Sequence, residues 1–188
     1  MTIRDALSAL APWLPDDLNG LDEISKTVTV PRSTIIFPTD KRVTHVALLM
    51  EGVVRSSYIT AQGTEITYCF AFPGDCIAPY SAVLTGRTSM EMLTSIGRCT
   101  LTFLPLDELL RRGETSMSWM RFFRILAERQ YCELERHIMM LQKETAADRY
   151  QELFDRRPEA IQTIPQKYLA SYLGITPRHL SRIRARKK

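Results

Sequence analysis

The chain has 188 residues, room for one moderate domain and a small one; 45% hydrophobic content with 25 Lys and Arg against 21 Asp and Glu is ordinary for a water-facing globular protein. No apolar run approaches a bilayer crossing, and Met1 to Ala6 lacks the charged-then-apolar layout of a secretory leader, so a cytoplasmic protein without a membrane partner is expected. The four cysteines (Cys69, Cys76, Cys99, Cys132) form no C-x-x-C pair and the three histidines (His45, His137, His179) stand singly, so no metal, iron–sulfur group or other cofactor is expected.

The first 25 residues read as short helices, with Leu7, Leu10 and Leu14 at helical spacing and a second start at Asp16-Asp17 carrying Leu18, Leu21 and Ile24. From Thr27 the period changes to two. Strands are predicted at 27–30, 33–37, 45–49, 53–59 and 65–72, separated by turn residues at Pro31, 38–41, Glu51-Gly52, Gln62-Gly63 and Pro73-Gly74, with two more at 89–95 and 99–104. Short strands at such spacing make a closed or sandwiched antiparallel β-domain.

Helical sequence begins at Pro105, and between about Ser116 and Lys143 there is neither Gly nor Pro. Met120, Phe123, Ala127, Gln130, Leu134, His137 and Leu141 form a heptad seam that wants a partner helix, or else packs on the chain's own β-domain, as expected for Trp119, Phe122 and Ile138. Gln130 and His137 within the seam would set pairing register. Thr145 to Phe154 forms another helix with Tyr150, Leu153 and Phe154 as its inner face, and a short loop leads from Pro158 to Pro165.

The stretch from Ile164 to Arg184 reads as a helix-turn-helix. Leu169, Leu173, Ile175, Leu180 and Ile183 supply a small shared core, Ala170 permits close approach, Gly174 closes the first helix, and Thr176-Pro177 caps and opens the second. All 21 acidic residues precede Lys167, whereas seven of the 25 basic ones lie in the last 22 residues, a formal +7 there against −3 elsewhere. A cationic end on a mildly acidic body suits phosphate, and Arg178, His179, Ser181 and Arg182 are hydrogen-bonding types suited to base edges. The expected DNA contacts are Thr176 and the first-turn amides to phosphate, Arg178, His179, Ser181 and Arg182 towards bases, and Arg184, Arg186 and Lys187 to backbone charge.

A β-domain, a long helix with a seam and a terminal helix-turn-helix, in this order, resemble the Crp/Fnr family of bacterial transcription regulators over essentially the whole chain. Two stretches carry the likeness: Leu169-Ala170…Gly174-Ile175…Leu180…Ile183, and Glu51-Gly52-Val53-Val54-Arg55…Gln62-Gly63-Thr64-Glu65…Phe72-Pro73-Gly74-Asp75. The resemblance implies an α+β protein: an antiparallel, jelly-roll-like β-roll sensor domain over 1–115, a dimerisation helix over 116–143 and a DNA-binding domain over 144–188. It implies a homodimer on an inverted-repeat operator, with RNA polymerase as a further partner and no enzymatic activity.

Relatives that bind cyclic AMP carry a glutamate in a Gly-Glu-x-Gly turn and an Arg-Ser or Arg-Thr about ten residues later. Here Ala78-Pro79-Tyr80-Ser81 and Ser89-Met90 stand in those places, with Arg87-Thr88 two residues early, and Leu134 and Glu135 replace the adenine-facing hydroxyls. Ala78, Tyr80, Ser81, Arg87, Thr88 and Ser89 thus mark the expected effector pocket, with an effector other than cyclic AMP, or none, because a buried phosphate without a charged partner is costly. The family's β wing after the second helix is missing before Lys188, so Arg184, Arg186, Lys187 and Lys188 are expected to make phosphate contacts in its place. A second reading of the same residues is a ligand-sensing module that signals through a protein partner docked on the C-terminal helices; salt-dependent DNA affinity separates the two.

Overall fold

The computed structural model describes residues 3–11 and 18–186, which group into two compact units, one from the residues up to 58 with 70–127 and one from 59–69 with 128–188. In chain order, α1 (Ile3–Leu10) and α2 (Leu21–Ile24) precede the strands β1 (Lys26–Val30), β2 (Ile35–Phe37), β3 (His45–Glu51), β4 (Val54–Ile59), β5 (Glu65–Ala71) and β6 (Cys76–Ile77), of which β5 runs mostly within the 59–69 segment of the second unit. Then come α3 (Tyr80–Thr85), β7 (Met92–Ser95), β8 (Cys99–Pro105) and α4 (Leu106–Thr115). The fold is α+β, with two four-stranded sheets of order β1-β8-β3-β6 and β2-β7-β4-β5.

The period of two sets the layers. On β3, Ala47 and Leu49 join Phe37, Val54, Leu93, Cys99 and Leu101 in one core, while Val46, Leu48 and Met50 face the other way into a second core with Leu7, Leu21, Leu109, Trp119 and Phe122. Both faces of this strand are covered, so its sequence is a continuous apolar run. Slipping its register by one residue would exchange the two sets of side chains, each leucine worth about 1.5–3 kcal/mol in its own layer. Gly52 ends β3 at φ +91°, where a Cβ would meet the Arg98 carbonyl oxygen and stand 2.7 Å from Cys99 Sγ, so no other residue fits the turn.

The long helix α5 (Met117–Lys143) begins among Trp119, Phe122 and Phe123, whose rings stack edge-on or tilted at 5.6–5.8 Å, and ends in the second unit. There it is followed by α6 (Ala146–Arg156), α7 (Pro158–Thr163), α8 (Gln166–Tyr172) and α9 (Pro177–Ala185).

Several expectations change. Helix α2 starts only after Gly20, which adopts a left-handed conformation at φ +74°, so it does not carry Leu18; Leu14 and the start at Asp16-Asp17 lie outside the described residues. The loop expected before Pro165 holds α7, with Pro158 at its first position, where no amide donor is needed, and Ile161 in the core. Ile138, expected among the inward-packed residues, is 46% exposed. His137 leaves the seam: a helix of 3.6 residues per turn drifts off a strict heptad row, and its ring is 9% exposed against Tyr172. Tyr131 and Leu134, 65% and 52% exposed, continue instead with Met120, Ile138 and Leu141 as the apolar stripe on α5.

Candidate nucleic-acid interface

The second unit is built around the turn between α8 and α9. Leu169, Ala170, Leu173, Leu180 and Ile183 are buried, with Ile161 and Ile164 beneath them, so the two helices meet across an alanine rather than a larger side chain. Helix α8 ends in paired turn bonds: the Ile175 amide donates to the Ala170 carbonyl at 2.9 Å and the Gly174 amide to Ser171 at 3.1 Å. This closure needs a left-handed residue, and Gly174 supplies it at φ +65°. Thr176 then caps α9, its hydroxyl accepting from the His179 amide at 3.2 Å, and Pro177 occupies the first helical position.

With Leu180 and Ile183 turned inward, the helical period leaves Arg178, His179, Ser181 and Arg182 exposed on the opposite face, with Thr176 and Arg186 also exposed and Arg184 half-buried. Lys187 lies outside the described residues. Arg178, Arg182, Arg184 and Arg186 form no ion pair among the described residues. Two acids of this unit, Glu133 and Glu152, are engaged elsewhere: Arg136 pairs with Glu133 at 2.8 Å and with Glu152, and Arg156 reaches Glu133 at 2.9 Å. Burial alone would raise the Glu133 carboxyl, but hydrogen bonds from Arg156 and Arg136 outweigh it and hold it below the usual carboxylate range. The exposed arginines of α9 thus face solvent without an acidic partner among the described residues.

The His137 ring of α5 stacks on Tyr172 of α8 at 4.5 Å and 28° between planes. Burial, then the nearby Arg136 and Arg149, push the His137 pKa down, and burial pushes the Tyr172 hydroxyl up. The hairpin 59–69 also belongs here, its Thr67 amide donating to Ser171 Oγ on α8 at 2.9 Å.

Sequence reasoning missed Gln166. Its Nε2 donates to the Pro177 carbonyl at 2.8 Å and to Ser181 Oγ, and that hydroxyl in turn donates to the same carbonyl at 3.1 Å. A glutamine at the start of a helix is indistinguishable in the sequence from a solvated one.

The expected effector residues are less gathered. Tyr80 and Ser81 open α3, Ala78 packs against both cores of the first unit, and Arg87 and Thr88 are exposed on the following loop. Ser89 is buried, but its hydroxyl is spent within its own turn, donating to the Glu91 carbonyl at 2.7 Å and accepting from the Glu91 amide at 3.1 Å. A cavity of about 290 Å³ lies elsewhere in this unit, against Thr27, Met50, Glu51, Thr100 and Thr102. The Thr27 and Thr102 hydroxyls bond one another at 3.0 Å, and the Thr100 hydroxyl donates to the Glu51 carboxylate at 3.0 Å.

An antiparallel β-domain of two four-stranded sheets, a long helix and a capped helix-turn-helix follow one another along the chain. Specifically, the chain has the Crp/Fnr fold. It superposes on FixK2 from Bradyrhizobium japonicum with a TM-score of 0.76 at 18% identity, over 87% of this chain and 84% of that one. A transcriptional regulator of the Crp/Fnr family from Eubacterium rectale gives 0.73 at 18% identity, over 91% and 84%. The c-di-GMP-responsive global regulator CLP of Xanthomonas campestris gives 0.68 at 16%, over 86% and 85%. No family model and no curated protein sequence matches the chain. No helix among the described residues is long and apolar enough to cross a membrane.

Proposed function

We propose that this chain is a sequence-specific DNA-binding transcription regulator of the Crp/Fnr type. The observation that carries the reading is the exposed face of α9, where Arg178, Arg182 and Arg186 stand without acidic partners beside a helix start whose cap is formed by Thr176. Arg178 and Arg182 suit guanine, His179 an adjacent base, and Arg184, Arg186 and Lys187 the backbone, with the α9 amides meeting phosphate.

The apolar stripe Met120, Tyr131, Leu134, Ile138 and Leu141 supports a homodimer joined along α5. Such a dimer reads an inverted repeat with half-sites about one helical turn apart, roughly 10–11 base pairs between centres. The polar and neutral residues at Ala78 to Ser81, and the internally bonded Ser89, support an effector other than cyclic AMP, or none. A cytoplasmic regulator without enzymatic activity, acting with RNA polymerase, completes the reading.

Selection of bound duplexes from a random pool, with and without cyclic nucleotides, tests it. A palindromic product is expected. In that site Arg182→Ala costs about 1–3 kcal/mol and relaxes one base pair, whereas Arg186→Ala weakens all duplexes alike and lowers the salt slope by about one. Equal losses on selected and random DNA for both variants would overturn the assignment of roles, and the absence of any salt-dependent binding would overturn the function.

A further inference from the structure

The structure assigns Gln166 a role beyond the reading above, on which it rests: it is the positioning residue of the DNA-reading helix, and it takes Ser181 out of the set of base readers. A carbonyl oxygen only accepts, so the end of the Gln166 amide that meets the Pro177 carbonyl at 2.8 Å is the NH₂ group. That nitrogen has two hydrogens, and the second goes to Ser181 Oγ. Ser181's single hydroxyl hydrogen is used on the same Pro177 carbonyl, at 3.1 Å. The three groups form a closed ring in which every donor is committed, leaving Ser181 nothing to donate to a base.

The location of the ring gives it its function. Gln166 opens α8, while Pro177 and Ser181 lie one turn apart on α9, and each is followed by one of the exposed arginines, Arg178 and Arg182. Leu169, Ala170, Leu173, Leu180 and Ile183 hold the two helices together through their buried faces. Apolar packing fixes their separation but leaves small rocking of α9 inexpensive, because dispersion is not directional. The amide ring ties the first two turns of α9 to α8 by directional bonds, and thereby sets where the two guanidinium groups stand. A base edge is read within a few tenths of an ångström, whereas a phosphate is attracted over many, so losing the ring should impair discrimination far more than general affinity.

The test uses the full chain with Gln166→Met, which keeps the length of the side chain and loses its hydrogen bonds, with Ser181→Ala, with both together, and with Ser181→Thr. Binding is measured on a duplex selected by the parent protein and on random duplex. Gln166→Met and Ser181→Ala are each expected to lower the ratio of selected to random affinity by about tenfold, the size of one net hydrogen bond, with random-duplex affinity and salt slope unchanged. The double variant is expected to be no worse than Gln166→Met, and Ser181→Thr, which keeps the hydroxyl, to hold the parental ratio. Additive losses, with Ser181→Ala alone relaxing a single base pair on reselection, would return Ser181 to the base readers and overturn the inference. A second arm needs no DNA: the side-chain amide protons of Gln166 are expected to exchange slowly by NMR in the parent and rapidly in Ser181→Ala. Rapid exchange in the parent would eliminate the ring, whereas slow exchange in a parent that does not discriminate among duplexes would sink the regulator reading and leave the ring standing.

Discussion

Replacing Gly174 with alanine isolates the conformational requirement of the helix-turn-helix. At φ +65° an L-residue brings its Cβ against the following carbonyl, at about 1–2 kcal/mol, and the stiffer unfolded chain recovers only about 0.4–1 of this. The new methyl group would also stand 3.1 Å from Leu141 Cδ2 and 3.5 Å from Arg149 Nη1. Leu141 is 39% exposed and its branch can swing aside, so the steric part is a few tenths of a kcal/mol and the backbone part dominates. The expected net loss is about 1 kcal/mol, roughly a fivefold increase in local opening. Because Trp119 reports on the other unit, the assay is hydrogen exchange of the amides between Leu169 and Leu180. Gly174→Asn, larger but more tolerant of the left-handed region, should lose less than Gly174→Ala. If Asn loses more, or if Leu141→Ala restores Gly174→Ala fully, the steric contact governs and the backbone argument is wrong.

Other outcomes follow from the same geometry. Leu134→Glu places a charge in the exposed stripe of α5 and should give a monomer by light scattering at micromolar concentration; a parent that is itself monomeric would remove the dimer from the proposal. His137, neutral in its stack, faces Arg136 and Arg149 as well as Glu152 and Tyr172, and its folded pKa lies below the unfolded value of about 6.5. The unfolded chain therefore takes up the proton first. Stability of the second unit should be level above about pH 7.5 and fall below about 6.5, by at most about 1.4 kcal/mol per pH unit, until the lowered folded value is passed. His137→Phe, which keeps an aromatic face on Tyr172, should flatten this slope in urea titrations at a series of pH values; an unchanged slope would assign the effect to other groups.

The helix-turn-helix was legible because its determinants are local: Gly174 at the left-handed turn and Thr176-Pro177 at the cap act within three residues of themselves. Most strands were legible for the same reason, since alternation and the Gly52 turn need no distant partner to be recognised. Strand β6 was not. Its two residues become a strand only by pairing with Ala47 and Leu48, and two residues carry no period. His137 shows the opposite failure. Its spacing placed it on the seam, but Tyr172, thirty-five residues further on, offers a ring to stack on, and no pattern within α5 records that. In the effector set, Ser89 stands by count where the resemblance puts a phosphate-binding residue, and its bonds to Glu91 appear only in the folded turn. Gln166 escaped notice because its partners lie 11 and 15 residues away, across a turn whose geometry had first to be known.

The bond from the Thr67 amide to Ser171 Oγ spans 104 residues of sequence, so the second unit is not a contiguous piece of chain. During synthesis at about 5–20 residues per second, that amide would leave the ribosome roughly 5–20 seconds before its acceptor. Until then only water can satisfy it. A fragment beginning at the middle of the long helix would have the opposite deficit, a serine hydroxyl without its donor, so the C-terminal helices excised alone would lack a bond that the 59–69 segment supplies.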